Sequence, residues 1–459
     1  MSGTQRLWFA LVFVFGLAFI AALPPLESND EEGHWIRQLT VAEGQINCGQ
    51  VRAGATVLLG AWNIKEKYFS AAFFKKHWNL TDFGEMVPAK SSACIYPPVP
   101  YLPAVLGMRL FGLDRHGEPQ RGGFWRVFYL ARVGNWIFVS LILAWAIRKL
   151  PWASNTLLVF YSIPEVIQQS FALGTDPMLF ACALTILVLI FRAPRAWWAP
   201  IALNLLVAIM ASVKPLYLLL GLVGLPLVVE RRDLWKTAPA KALLALFSFA
   251  LPFVIWKAWE SSIHTDLTGL WMPSWNVKPA DQIALLRAEP SRLLSLAKAQ
   301  WADTFRADLI RGSWLSIFCA LGHSIVKMSM VGYDLLVGAV IVAWLGDYFS
   351  PHSSEKLASG WATRVAWLIA ALGIIAIIPA VVVGMYIYFS SVGVTGVKGV
   401  QGRYYLIPIL MMALLKMHAL KFRSFAKAQT WAAPLCMIAC LTADGYALKA
   451  LVHHFWGNA

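Results

Sequence analysis

The chain has 459 residues, of which 59% are hydrophobic and only 14% charged, with a mean hydropathy of +0.61. An ordinary soluble domain carries about 25% charged residues, so the composition excludes water as the main solvent. The formal net charge of +15 sits mostly in short loops between apolar runs, where Lys and Arg set membrane topology, and nothing supports nucleic-acid binding.

The apolar residues gather into runs roughly 17–25 residues long, enough to cross a hydrocarbon core of about 30 Å. The first run, Leu7 to Leu23, follows Arg6 and resembles a secretory signal in composition. It ends in Pro24-Pro25-Leu26-Glu27 with no small-residue cleavage site, and many spans follow, so an uncleaved first helix is expected. Helices are expected near 7–24, 126–147, 154–172, 177–192, 198–212, 214–229, 241–258, 331–347, 364–386, 404–419 and 429–452, eleven spans to within one. The 198–229 stretch reads as a helical hairpin turning at Ser212-Val213-Lys214-Pro215, because Pro215 cannot donate a backbone hydrogen bond.

With the N-terminus cytoplasmic, the inside loops hold Arg148-Lys149, Arg192 with Arg195, Arg231-Arg232 with Lys236, and Lys421 with Arg423 and Lys427. That is the positive-inside pattern, and it sends the two long polar segments, 25–125 and 259–330, outward within a single integral membrane domain. An oxidising outer compartment permits a disulfide between Cys48 and Cys94. Cys182, Cys319, Cys436 and Cys440 fall in or near spans and read as packing residues, and the sequon Asn79-Leu80-Thr81 is too short a match to weigh.

Directly after the first span, Glu27-Ser28-Asn29-Asp30-Glu31-Glu32-Gly33-His34-Trp35-Ile36-Arg37 concentrates acids, a His and an Arg at the outer membrane boundary. If Asp30 is the N-cap of a helix, Asp30, His34 and Arg37 share one face at i, i+4 and i+7, and the acids sit at the positive helix end. The plainer reading of the same residues is a cap and first-turn acids on a solvated helix. Polar residues recur at the outer ends of other spans: Thr175-Asp176-Pro177, Lys214 before Tyr217, and Gln401-Gly402-Arg403-Tyr404-Tyr405. Ionisable groups at a membrane boundary are costly unless paired or functional. Lys214 and Arg403 suit an anionic ligand, Arg as a planar fork for phosphate oxygens and Lys as a point charge; pairing with an acid such as Asp176 or Glu165 is the structural alternative.

Between the acids and the second span, Ile95-Tyr96-Pro97-Pro98-Val99-Pro100-Tyr101 leads into an apolar stretch ending at Gly112, too short to span and suited to a helix lying in the interface. The second outer segment carries an amphipathic stretch, roughly 280–311, preceded by Trp259, Trp271 and Trp275 as interface anchors. No P-loop, dinucleotide glycine fingerprint, Cys-x-x-Cys zinc site or nucleophile elbow is present, which argues against ATP-driven transport.

These residues, in this order, resemble the GT-C superfamily of polyprenyl-phosphate-sugar-dependent glycosyltransferases, and more closely a bacterial membrane protein family of unknown function allied to it. The resemblance rests on Asp30-Glu31-x-x-His34-x-x-Arg37, Tyr96-Pro97-Pro98-x-x-Tyr101, Arg132 early in span two, Thr175-Asp176, Lys214-x-x-Tyr217 and Gly399-Val400-Gln401-Gly402-Arg403-Tyr404. It implies an all-α, GT-C-like polytopic fold in a bacterial inner membrane. It also implies a periplasm-facing site that moves a sugar from a lipid phosphate carrier to the hydroxyl of a glycan or glycolipid acceptor. Asp30 would be the base that deprotonates the acceptor. Glu31 and His34 would position the acceptor or bind a divalent cation, a cofactor that only some members use. Lys214 and Arg403 would steady the departing phosphate, with Arg37, Tyr96, Tyr101, Asp176, Tyr217 and Tyr404 lining the substrate site. Glu32 departs from the related family, which usually has Pro there, and this loosens the local backbone. Two other functions compete: a transporter or flippase for a lipid-linked or anionic substrate, for which Glu165 beside Pro164 is the best residue, and a non-catalytic scaffold of the same fold.

Overall fold

A computed structural model describes residues 1–28, 30–52, 85–89, 91–113, 123–192, 198–229, 238–263, 277–305, 326, 328–349, 361–397, 400–419 and 428–457. The sequon, Trp271, Trp275, Cys319, Gly399 and the basic residues Arg195, Arg231, Arg232, Lys236, Lys421, Arg423 and Lys427 lie outside them. The described chain is almost entirely helical. Its elements are α1 (Gly3–Ala22), α2 (Glu31–Ala42), strands β1 (Gln50–Arg52) and β2 (Met86–Pro88), α3 (Leu102–Phe111), α4 (Gly123–Lys149), α5 (Ser154–Tyr161), α6 (Pro164–Phe171) and α7 (Asp176–Arg192). There follow α8 (Ala199–Val213), a 3-10 helix over Pro215–Gly224, α9 (Leu225–Val229), α10 (Ala238–Ser262), α11 (Pro279–Ala288), α12 (Ser291–Phe305), α13 (Met330–Tyr348), α14 (Trp361–Phe389), α15 (Leu406–Ala419) and α16 (Ala428–Trp456). The chain divides into two compact units, the first built from residues 1–184, 319–350 and 424–459, the second from 185–318 and 351–423.

Five described helices are long and apolar enough to cross a membrane: α1, α4 from Trp125, α13, α14 and α16. Of the other expected spans, 241–258 is the continuous 25-residue helix α10 with Pro252 inside it, and the rest are shorter or broken. The stretch 154–172 is two eight-residue helices, because Pro164 cannot donate the hydrogen bond that would carry α5 onward. The second of these, α6, meets α7 at 110°, the geometry of a broken span or a re-entrant loop. Beyond Lys214 the chain winds as a 3-10 helix from Pro215 before its short α-helical end.

In the first unit, α1 opens with a capping box between Ser2 and Gln5 and turns Trp8, Val12, Gly16 and Phe19 inward at one-turn spacing. The Trp136 ring fills the place a side chain at Gly16 would take, and its Nε1 donates to the Phe13 carbonyl at 3.1 Å. Near the α1 start, Gln5 donates to Ser154 and Asn155, while Gln429 donates to Ser154 and to Asp347, so α1, α5, α13 and α16 are tied by buried polar groups. At the other end of α16, Trp456 Nε1 donates to the Ala22 carbonyl at 2.9 Å, which makes α1 and α16 run parallel.

Above these spans, α2 packs Trp35, Ile36 and Leu39 against Ala104, Met108, Phe128 and Leu173 in one buried cluster. Cys48 and Cys94 are disulfide-bonded, with Cα atoms 5.6 Å apart, and β1 pairs antiparallel with β2. Helix α3 begins after two closely spaced prolines, Pro98 and Pro100, and buries Ala104, Gly107 and Met108. Gly107 and Gly134 let it lie against the α4 backbone with no room for a Cβ. Its opposite stripe, Leu102, Leu106 and Leu110, is at least half exposed, which suits lipid rather than water.

In the second unit, α8, the Pro215–Gly224 helix and α14 pack together: Gly373 of α14 faces Leu219 and Leu222, and Phe191 stacks on Trp367. The expected amphipathic stretch 280–311 is two helices, α11 and α12, separated at Glu289-Pro290, with 306–311 outside the described residues.

Candidate functional site

The head of α2 is organised by one ion pair. Glu31 is wholly buried, and Arg132 donates to it from Nε to Oε1 at 2.9 Å and from Nη2 to Oε2 at 2.6 Å. The amides of Leu173 and Ser28 donate to the same two oxygens at 3.1 and 3.3 Å. Arg132 spends its remaining donors on the Leu23 and Pro24 carbonyls at 2.5 and 2.9 Å, where the carbonyl end of α1 carries negative partial charge. Its guanidinium also lies 4.9, 5.8 and 5.5 Å from the ring centroids of Phe128, Tyr129 and Phe171. One pair therefore joins the end of α1, the start of α2, the α4 span and the α6–α7 bend. Arg132 is the only charge between Val127 and Ile147, and a lone charge in an apolar run signals a buried partner.

Arg37 is built in as firmly. It is fully buried and donates to the Tyr96 carbonyl at 3.1 Å, Thr40 Oγ1 at 3.3 Å, the Ile46 carbonyl at 2.6 Å and Cys48 Sγ at 3.8 Å. Glu31 thus fastens the outer segment to its spans and Arg37 ties distant parts of that segment to one another, frame-holding places different from the acceptor- and substrate-facing ones expected of them. Burial, the main cause, pulls the Arg37 guanidinium down from its ordinary range.

The chemistry-bearing groups that remain lie around His34. Its Nδ1 is hydrogen-bonded to the Tyr101 hydroxyl at 2.7 Å, and its ring stacks on Tyr96 with centroids 5.4 Å apart. Burial foremost, then the neighbouring Tyr96, pushes the Tyr101 phenol well above its ordinary range, so it stays neutral; Asp176, the first residue of α7, pushes the same way. Gly174, in the loop before it, places its backbone beside the His34 ring.

Asp30 stands at the N-cap of α2 in left-handed backbone conformation, φ 60°, and its side chain makes no capping hydrogen bond. It is exposed, whereas Glu31 next to it is covered. The helix face expected to carry Asp30, His34 and Arg37 together is therefore divided, with Asp30 at the surface and Arg37 consumed below. Glu32 has one oxygen shielded from solvent and without a hydrogen-bond partner among the described residues, and burial, reinforced by Asp30 and Glu31, pushes its carboxyl up to about 7. Among the described residues no three His, Cys, Asp or Glu side chains come together as a metal set. Glu31 and His34 do not form one, since both Glu31 oxygens face Arg132 and backbone amides and His34 Nδ1 meets Tyr101.

The second unit holds a cationic group of its own. Lys214 closes α8 in extended conformation before Pro215, and the Tyr217 amide donates to its carbonyl at 3.0 Å. Its Nζ lies 4.6 Å from the Tyr404 ring centroid, and the Arg403 guanidinium lies 5.5 Å from the same centroid. Arg403 and Tyr404 sit in the 3-10 turn Gly402–Tyr405 that leads into α15, beside Gln401, whose buried Oε1 has no hydrogen-bond partner among the described residues. Tyr217 is buried on the 3-10 helix that follows Lys214.

A family model described as "predicted membrane protein (DUF2142)" matches residues 13–413. The chain belongs to this family. No curated protein and no solved structure matches it. The DUF2142 match takes in both the α2 head and the Lys214–Tyr404–Arg403 group and stops short of α16. With five long apolar helices among its described residues, this DUF2142 protein is a multi-pass membrane protein whose surroundings include the lipid bilayer.

Proposed function

We propose that this DUF2142 protein is a membrane glycosyltransferase of GT-C type with about eleven spans. In this reading it acts at the outer face of a bacterial inner membrane, with the N-terminus cytoplasmic. It moves a sugar from a polyprenyl-phosphate carrier to an acceptor hydroxyl. The observation that carries the reading is the pair of cations, Lys214 and Arg403, held against one ring, Tyr404. Two like charges gathered in an apolar chain favour an anion between them, and a lipid phosphate is the anion a membrane supplies. As the sugar–phosphate bond breaks, charge grows on the phosphate and these cations stabilise it. Asp30 supplies the base, because it is the exposed carboxylate of the acidic motif. His34, steadied by Tyr101 and Tyr96, orients the acceptor. The disulfide in the outer segment agrees with an oxidising compartment.

The test is incubation of the purified protein in nanodiscs with a panel of polyprenyl-phosphate sugars, with and without divalent cations, beside Asp30→Asn. Sugar transfer that Asp30→Asn abolishes supports the reading; full transfer by Asp30→Asn removes Asp30 from its role, and no donor binding or turnover by the wild type removes the reading.

A second reading, a transporter or flippase for a lipid-linked or anionic substrate, draws on Asp444. It lies near the middle of α16, fully buried, with neither oxygen hydrogen-bonded among the described residues. A carboxyl group at that depth marks a transport or proton path in many membrane proteins. Substrate flux into proteoliposomes lost in Asp444→Asn but kept in Asp30→Asn favours it over the transferase.

A further inference from the structure

Helix α11 has a single buried residue, and that residue is polar: Gln282. Its apolar residues Ile283, Leu285 and Leu286 are only partly buried, so the polar group that is fully covered is informative. Gln282 Nε2 donates to the Tyr386 carbonyl at 3.3 Å, and the Gly393 amide donates to Gln282 Oε1 at 3.1 Å. Arg292, at the start of α12, donates from Nη1 to the Gly393 carbonyl at 2.9 Å and to the Tyr386 hydroxyl at 3.3 Å, while pairing with Glu289 at 3.0 Å. Tyr386, buried at the end of α14, donates its own hydroxyl to the Val394 carbonyl at 3.0 Å. Three side chains thus hold one turn, residues 391–396, by its backbone groups. Gly393 in that turn has φ +80°, a conformation that favours glycine. The turn ends seven residues before Arg403.

We propose that Gln282 and Arg292 are positioning residues. Helices α11 and α12 clasp the 391–396 turn and so restrict where Arg403, seven residues beyond it, meets the donor phosphate. This rests on the phosphate role given to Arg403 above. The clasp is made of hydrogen bonds of modest net worth, so losing one loosens the turn and leaves the spans beneath it folded.

The experiment uses the full chain in nanodiscs, as wild type, Gln282→Ala, Arg292→Ala and Arg292→Lys. It measures amide hydrogen exchange over 391–405 together with KM and kcat for a polyprenyl-phosphate sugar. In both alanine variants the amides from Gly393 to Tyr405 exchange faster. Donor KM rises about tenfold, the size expected for one or two lost hydrogen bonds, while kcat stays within about twofold. Arg292→Lys, which keeps the charge, recovers part of the KM. Unchanged exchange in both alanine variants overturns the clasp whatever the chemistry. Faster exchange with unchanged KM overturns the positioning role. Faster exchange in a protein whose wild type neither binds nor turns over any donor sinks the transferase reading and leaves the clasp supported. If Gln282→Ala fails to fold, Arg292→Ala alone decides the outcome, since Arg292 is partly exposed.

Discussion

Arg132 holds Glu31 through two parallel hydrogen bonds where neither side chain reaches solvent. Removing one partner leaves the other as an uncompensated buried charge, a loss of about 3–5 kcal/mol. Glu31→Gln therefore lowers the thermal unfolding midpoint sharply in detergent and cuts the amount of folded protein in the membrane. Asp30→Asn, one residue away, leaves both unchanged. Equal stability of the two variants would show that the pair does not hold the α2 head.

Asp30→Asn is informative because it alters so little structure. Asn tolerates the left-handed backbone that Asp30 adopts, and the side chain makes no capping bond to lose. The unfolding midpoint stays at the wild-type value. Transfer activity falls by about 10²–10⁴-fold, the usual contribution of a positioned base. A drop in the midpoint without a drop in specific activity contradicts the role.

Glu32 gives the outer segment a pH dependence with a definite sign. Its folded carboxyl is pushed up to about 7 from an ordinary 4.5, so the folded state holds the proton more tightly than the unfolded chain. The folded state then binds more protons between these values, and stability falls as pH rises from about 4.5 to about 7, with the loss complete above. Glu32→Gln, neutral throughout, is expected to match the wild type near pH 4.5 and to unfold at a higher temperature at pH 8. Parallel midpoint curves for the two proteins from pH 5 to 8 would count against this.

The long spans were legible because hydropathy alone decides them: α1, α4, α13, α14 and α16 each fall where an apolar run of spanning length stands. Helix α3 was legible because Pro97, Pro98 and Pro100 precede, and Pro103 opens, a run too short to cross. The pairing of Cys48 with Cys94 was within reach because the first outer segment holds no other cysteine. What hydropathy does not register is a break inside a continuous apolar run, so the α5–α6 interruption and the 110° turn into α7 lay hidden in 154–192. Helical spacing tells which side chains share a face but not which face is covered. Glu31, Arg37 and Asp30 therefore looked alike, although partners 101 and 59 residues away bury the first two. The charge of Arg132 in an apolar run announced that a partner exists without naming it.

The two cations around Tyr404 give the sharpest test of what this protein binds. Arg403 lies in a turn and offers a planar fork, while Lys214 ends a helix and offers a point charge. A fork that meets two phosphate oxygens is only partly replaced by an ammonium group. Affinity for a polyprenyl phosphate, measured by calorimetry in nanodiscs, is expected to fall about tenfold to a hundredfold in Arg403→Ala and by less in Arg403→Lys. Lys214→Ala weakens it too, and the wild-type affinity drops as salt rises because part of the attraction is Coulombic. The matching polyprenol, which lacks the phosphate, binds all four proteins with the same weak affinity, since only its chain is recognised. A wild type that holds the alcohol as tightly as the phosphate would leave the Lys214–Tyr404–Arg403 group without its anion.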